Sequence, residues 1–212
     1  MMVVKIEPYK AMLDAIENRL TELEQEKNMH NILKKSINAV ARTGKEKLHA
    51  ETKDYYTIKS RAFRKSDIAM RATSSRHPGA TLTVKGLRVG VRAGYASRKN
   101  AKRKGASAQV LKTSAMKELK ITYGGRVYKA FLATMKSEHT GIFQREPAKY
   151  MKKHQPLTGK KKGREAIKEI TSLANAQAAG MAYTRSGIHG ELQEEFVYQM
   201  LKHMNAVTGG AK

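Results

Sequence analysis

The chain has no cysteine and no tryptophan, only 4 prolines among its 212 residues, and 18 acidic residues against 42 basic ones. Without cysteine there can be no disulfide, no thiolate metal site and no Cys nucleophile. With aromatics at 6%, the stacking platforms that hold single-stranded bases are disfavoured. What core there is must be modest, built on Ala, Val, Ile, Leu and 11 Met. No apolar run approaches the roughly 18 residues of a membrane span, and the start of the chain lacks the apolar stretch of a signal peptide. The expectation is a soluble protein made in the cytoplasm, with no membrane partner. The shortage of acid leaves a formal charge of +24. So large an excess repels itself, and it calls for a polyanionic or acidic neighbour: nucleic acid, or the acidic face of a protein assembly. A membrane surface fits less well, because the cations do not line one face of an aromatic-rich amphipathic helix.

The periodicity along the chain predicts a mixed α+β organisation. From Tyr9 to about His49 the pattern is helical, with Met12, Ile16, Leu20 and Leu23 on one face and Ile32, Leu33, Ile37, Val40, Ala41 and Leu48 continuing it. Pro8 suits a first helical turn. This is one helix or two, broken near 27–30, and either covers a sheet or binds a partner. A short helix is expected near 57–62, a strand near 67–74, a turn at 75–79, and strands over 82–84 and 87–91 interrupted by Gly86, Gly90 and Gly94. Residues 95–108 are the most basic segment, with Arg98, Lys99, Lys102, Arg103 and Lys104 among small residues; lacking a large apolar anchor, the segment reads as an extended, mobile loop. Strands follow near 109–113 and 119–123, with Gly124-Gly125 as a hairpin turn into Val127–Met135. A second basic linker spans 148–163. By spacing alone, 164–179 is a helix. A last helix runs from about Gly190 to Ala206, with Leu192, Phe196, Met200, Leu201 and Met204 as its buried stripe, ahead of a fraying tail.

Tests for chemistry come back empty. The seven histidines show no i,i+3 or i,i+4 pairing and no carboxylate at metal-ligand spacing. His139, beside Glu138 in a predicted turn, is the one worth following, and a structural role is expected of it. Thr43-Gly44-Lys45-Glu46 and Thr158-Gly159-Lys160-Lys161 resemble phosphate loops but lack the upstream glycine and the closing hydroxyl residue. No catalytic residue, cofactor site or metal site is assigned, and the expectation is a protein that is not an enzyme.

One stretch stands out. Phe131 to Arg145 reads FLATMKSEHTGIFQR: a strand with period-two alternation, a turn through Ser137–Gly141, apolar chain again at Ile142-Phe143, and a stop at Gln144-Arg145-Glu146 before Pro147. The order Phe131, Met135, Ser137, His139, Gly141, Phe143, Arg145, preceded by Ala130, resembles the minor tail protein Z family of tailed bacteriophages, the tail-completion proteins. A second stretch, Gly163–Gly180, is similar to that family's strand-turn-helix segment through Ile167, Lys168, Glu169, Ile170 and Gln177. Ala166 stands where the family usually has Pro, and Ser172-Leu173-Ala174 replaces Gly-Pro-Ser. A final amphipathic helix with a late histidine, His203, is similar as well, and residues 36–48 resemble an early Asn-containing helix. The resemblance covers roughly residues 31–206. It favours a strand at 165–171, against the helix that spacing suggests.

The resulting expectation is an antiparallel sheet or small barrel-like β core, packed by a long N-terminal helix or helix pair and a C-terminal amphipathic helix, with long basic loops. It divides into a helical segment at 1–50, a β-rich core at 51–180 with basic loops at 95–108 and 148–163, and a helix and tail at 181–212. The resemblance implies a structural virion protein at the head-proximal end, or neck, of the tail, assembled in the host cytoplasm. There it would form a ring, sixfold to match the tube, that lets head and tail join and DNA pass. Its partners would be itself, the tail terminator or tube protein and the head-tail connector proteins, with nonspecific contact to genomic DNA. The terminal helices are candidates for the ring contacts. Arg98, Lys99, Lys102, Arg103 and Lys104 are candidates to face DNA or an acidic partner. The competing class is a ribosomal or other sequence-nonspecific nucleic-acid-binding protein, which composition alone would place first.

Overall fold

The computed structural model describes residues 1–6, 26–74, 79–86, 88–99, 105–150 and 165–207. The acidic stretch before Glu26, the turn at 75–78, Lys102, Arg103 and Lys104, the linker at 151–164 and the tail beyond Val207 lie outside them.

In chain order the elements are β1 (Met2–Ile6), α1 (Glu26–Tyr55), a 3-10 turn (Lys65–Asp67), β2 (Ile68–Arg71), β3 (Ala80–Val84), β4 (Arg88–Gly90), α2 (Val91–Gly94), β5 (Ala96–Lys99), β6 (Ala106–Gln109), β7 (Lys117–Glu118), β8 (Lys120–Tyr123), β9 (Arg126–Lys129), β10 (Phe131–Thr134), β11 (Thr140–Tyr150), β12 (Glu165–Glu169), β13 (Thr171–Ala174), α3 (Asn175–Ser186) and α4 (Ile188–Val207). The class is mixed α+β. The described strands form five small antiparallel sheets and no closed barrel.

The contacts divide the chain into two compact units. The first joins Met1–Thr52, Arg64–Gly86 and Asn175–Lys212. Its sheet has the order β1-β3-β2, with Leu82 of β3 opposite Val4 on one side and Met70 on the other. Helix α1 runs unbroken through 27–30. Its stripe at Ile37, Val40, Ala41 and Leu48 is buried, as helical spacing demands. Gly44 lies within that stripe: a Cβ there would sit 3.2 Å from Leu192 and 3.4 Å from Leu82, so the missing side chain is what lets α1, α4 and the sheet approach. The phosphate-loop likeness around Thr43–Glu46 is therefore mid-helix packing. Asn38 Oδ1 accepts a hydrogen bond from the Thr73 N–H at 3.1 Å, tying the chain after β2 back to α1. Ion pairs Lys47–Glu191 and Lys65–Glu46 sit at the surface, where such pairs contribute little. In α4 the buried stripe is Ile188, Leu192, Phe196, Met200 and Met204, at strict i,i+4 spacing. Leu201, expected in that stripe, is 45% exposed, because one residue past Met200 turns it away from the core.

The second unit comprises Lys53–Phe63 and Leu87–Ala174. Its sheets are β10-β11-β12, β5-β6-β7, β13-β4 and β8-β9. Single backbone bonds continue the pairing across the kinks between them: Ala130 N–H to Leu119 O, Leu119 N–H to Ala106 O, Ile170 N–H to Ile142 O, and Val91 N–H to Ile170 O. The core beneath is small, with Val91, Ala106, Ala108, Ala130 and Ile142 packed by Leu119, Leu132 and Ile170. Tyr56, Tyr95 and Phe63 are fully buried in this unit as well.

Several expectations are corrected here. Residues 96–99 and 106–108 are strand rather than loop, since β5 and β6 pair from Ala96↔Gln109 to Lys99↔Ala106. Small side chains replace the missing apolar anchor, and Ala106, Ser107 and Ala108 are all buried. The strand expected at 109–113 ends at Gln109, whose amide donates to the carbonyls of Lys112 and Ser114 and shapes a turn instead. Val91 starts a four-residue helix rather than ending a strand. No helix forms at 57–62, where Ile58 and Phe63 are buried from irregular chain. Strand β2 stops at Arg71, short of residue 74, and the run from Val127 breaks at Ala130. At 165–174 the chain is strand, as the resemblance favours, and the helix begins only at Asn175. Strand β11 passes through Pro147 to Tyr150 instead of stopping before the proline.

Candidate functional site

The alternation His139-x-Gly141-x-Phe143-x-Arg145 acquires a physical meaning on β11. Successive strand residues point to opposite faces, so Gly141, Phe143 and Arg145 share one face of β11, and His139, one residue before the strand, meets that face through Phe143. The other face carries Ile142 into the core. Strands β10 and β11 are joined by a tight turn in which Met135 N–H donates to His139 O and Glu138 N–H donates to Met135 O, both at 2.9 Å. Glu138 takes the left-handed conformation, φ 61°, at the position where such turns favour glycine or asparagine. Ser137 is exposed in the turn and Met135 is half-buried.

Both flanking strands add to that face. Phe143 stands opposite Phe131 on β10 and opposite Glu169 on β12. The rings of Phe131 and Phe143 lie 6.4 Å apart, and the Arg145 guanidinium sits 5.7 Å from the centre of the Phe131 ring, a cation–π contact. His139 meets Phe143 edge-on at 6.3 Å, and its Nε2 lies 3.1 Å from Glu169 Oε2. The result is a continuous ladder: Glu169, His139, Phe143, Phe131, Arg145. The carboxylate beside His139 is thus Glu169, not its sequence neighbour Glu138.

Two glycines make room for this ladder. A Cβ on Gly141 would lie 2.8 Å from Glu169 Oε1 and 3.0 Å from the Phe143 ring. A Cβ on Gly90, at the end of β4, would lie 2.2 Å from Glu169 Oε1. That oxygen is sealed from solvent and has no hydrogen-bond partner among the described residues. An unsatisfied buried oxygen is costly, and the histidine at the other oxygen is what offsets it. Gly90 carries no sequence signal of this role: it lies in another strand, and only the fold brings it to Glu169.

The remaining candidates are placed as follows. Ile167 stands opposite Arg145 and Lys168 opposite Gln144, so the two stretches that carry the resemblance pair directly. Ile170 links the sheets through its backbone bonds to Ile142 and Val91. Gln177 is exposed on α3, in the other unit. Arg98 and Lys99 are exposed on β5, opposite Ser107 and Ala106. His203, near the end of α4, has its pKa lowered, first by burial and then by Lys35 and Lys202. Among the described residues no three His, Cys, Asp or Glu side chains converge on one point, and no helix is long and apolar enough to cross a membrane.

Near the ladder, Lys59 donates to the Arg92 carbonyl at 2.6 Å and holds the end of α2. Burial lowers its pKa, with Arg92 and Arg61 adding to the shift. Burial raises the Tyr95 hydroxyl, which donates to Leu173 O at 3.2 Å. These are groups that shape backbone. No protein-family model, curated protein or solved structure matches the chain.

Proposed function

We propose that this chain is a non-catalytic structural protein of a tailed-phage particle. It completes the head-proximal end of the tail as a ring, sixfold to match the tube, through which head and tail join and DNA passes. Its neighbours are copies of itself, the tube or terminator protein and the connector proteins, with the +24 charge matched to acidic protein surfaces and to DNA phosphates. One observation carries the reading: the residues of the resemblance, drawn from 131–145 and from 167–170, meet on one three-stranded sheet, where Phe131, His139, Gly141, Phe143, Arg145 and Glu169 build a single ladder.

Quantitative mass spectrometry of density-banded virions, run beside ribosomes of the infected host, tests it. A few copies per virion, far below the tube protein, is the expected result. Ribosome-level stoichiometry with none in virions overturns it in favour of a nucleic-acid-binding protein.

A further inference from the structure

Two exposed surfaces in this chain are each incomplete, and each has what the other lacks. The first is the β8–β9 hairpin. It turns through Gly124 and Gly125, both at positive φ, and pairs from Lys120↔Lys129 to Tyr123↔Arg126. No third strand joins it among the described residues. Its β9 side leans on β11, where Gln144 Nε2 donates to Tyr128 O at 3.1 Å, whereas Ile121, Tyr123 and Arg126 stay exposed. One of its faces carries Ile121, Tyr123, Arg126 and Tyr128. Ile121 is 40% and Tyr123 54% exposed, and the Arg126 guanidinium lies 5.5 Å from the centre of the Tyr128 ring. This is an apolar face with a cation on it.

The second surface is the outer side of α4. Glu194, Val197, Tyr198 and Leu201 follow i, i+3, i+4, i+7 spacing, so they share one face, turned away from the buried stripe. Tyr198 is 60% and Leu201 45% exposed. Glu194 has no ion-pair partner among the described residues, unlike Glu191, which pairs with Lys47. This is an apolar face with an anion on it, in a chain where acids are scarce.

We infer that the β8–β9 hairpin of one copy docks on the outer face of α4 of the next, with Arg126 meeting Glu194. The helix would cover the exposed face of the hairpin, with Ile121 and Tyr123 lying over Val197 and Leu201. Nucleic acid on the hairpin fits worse, because it would leave the exposed Val197, Tyr198 and Leu201 of α4 uncovered. A second copy carries both halves, so each copy gives one contact and receives one. Such head-to-tail contacts propagate and close into a ring when the rotation allows. This rests on the self-association in the proposed function and not on the assignment to a tail, so absence from virions would leave it untouched.

Sedimentation velocity on the full chain over a concentration series tests it, with circular dichroism to check that each variant is folded. Arg126→Glu and Glu194→Arg lie on exposed positions, and each is expected to weaken self-association by about tenfold or more, as like charges are brought together. The double variant is expected to recover to within about threefold of the parent, since the swapped pair is coupled. A parent that stays monomeric throughout, single variants that associate like the parent, or a double variant no better than the singles would each overturn the inference. Loss of binding to a random-sequence DNA duplex on Arg126→Glu, with association unchanged, would overturn it too and assign the hairpin to nucleic acid.

Discussion

The two units bury their interiors by different means. The first relies on long aliphatic and sulfur-containing side chains: Ile37, Val40 and Leu48 from α1, Leu82 and Val84 from β3, Phe196 and Met200 from α4. The second buries aromatics, Tyr56, Phe63, Tyr95 and Phe143, and has alanines where its strands run close, at 106, 108 and 130; the first buries alanines as well, at 41, 80, 176, 178, 179 and 182. A large side chain gains from the water it leaves, whereas an alanine gains mainly by letting neighbours approach. The helix stripes of the first unit should therefore be most sensitive to what is removed, and the strand crossings of the second, lined by small residues, to what is added.

The largest effect should follow Phe196→Ala. It empties a nearly sealed site in the first unit and should cost about 3–5 kcal/mol by chemical denaturation. A cost under about 1 kcal/mol would mean that the helical stripe is not the main support of that unit. Next comes Gly90→Ala in the second unit, where the new methyl would strike the Glu169 carboxylate and break its contact with His139. It should cost about 1–3 kcal/mol, as overpacking does, and Glu169→Ala in the same chain should remove most of that penalty. An undiminished penalty in the double variant would place the clash elsewhere.

Smaller still is Ser36→Ala on α1. The Ser36 hydroxyl is buried without a hydrogen-bond partner among the described residues, so its removal should stabilise the protein by up to about 1 kcal/mol, read as a raised thermal midpoint. A lowered midpoint would show that the hydroxyl is satisfied after all.

The last test separates the units by pH. The folded pKa of His203 lies below its ordinary 6.5, so the unfolded chain binds the extra proton first. Stability contributed by the first unit should fall as pH drops from 6.5 toward the folded value, and His203→Gln should flatten that slope. The hydroxyls of Tyr56 and Tyr95 are shifted the opposite way, above 10.0, by burial first. Folded tyrosine there holds its proton longer than unfolded, so the second unit should lose stability as pH rises past 10.0, while Lys59, shifted down from 10.5, works against that loss. Amide exchange resolved by residue reads both slopes.

The same difference explains what could be read in advance. The stripes of α1 and α4 obey a 3.6-residue period that large side chains make visible, and the Gly124-Gly125 turn announces itself through its residue types. Even there, Leu201 was assigned inward because one residue of drift is invisible in a run of apolar letters. At 106–108 in the second unit the signal is weak because the buried residues are alanine and serine, which are equally at home in loops. Ala106-Ser107-Ala108 therefore looked like linker although it is a buried strand. The turn after β10, the buried Phe143 and the exposed Arg145 could be read from 131–145, and the family likeness singled out Glu169. What neither could supply is the meeting of Glu169 with His139 and Gly90, since strand neighbours from distant segments leave no periodic trace.

The hairpin at 120–129 has one more consequence. Its register sets Lys120 directly opposite Lys129, a like-charge pair that disfavours the hairpin itself, and Glu118 relieves one side by holding Lys129 at 2.9 Å. Lysines along an unpaired strand deter other strands from adding to its edge. These cations thus guard Ile121, Tyr123 and Val127 against edge-to-edge aggregation. The guard is electrostatic, so concentrated salt, which shortens the reach of each charge, should make this protein less soluble rather than more.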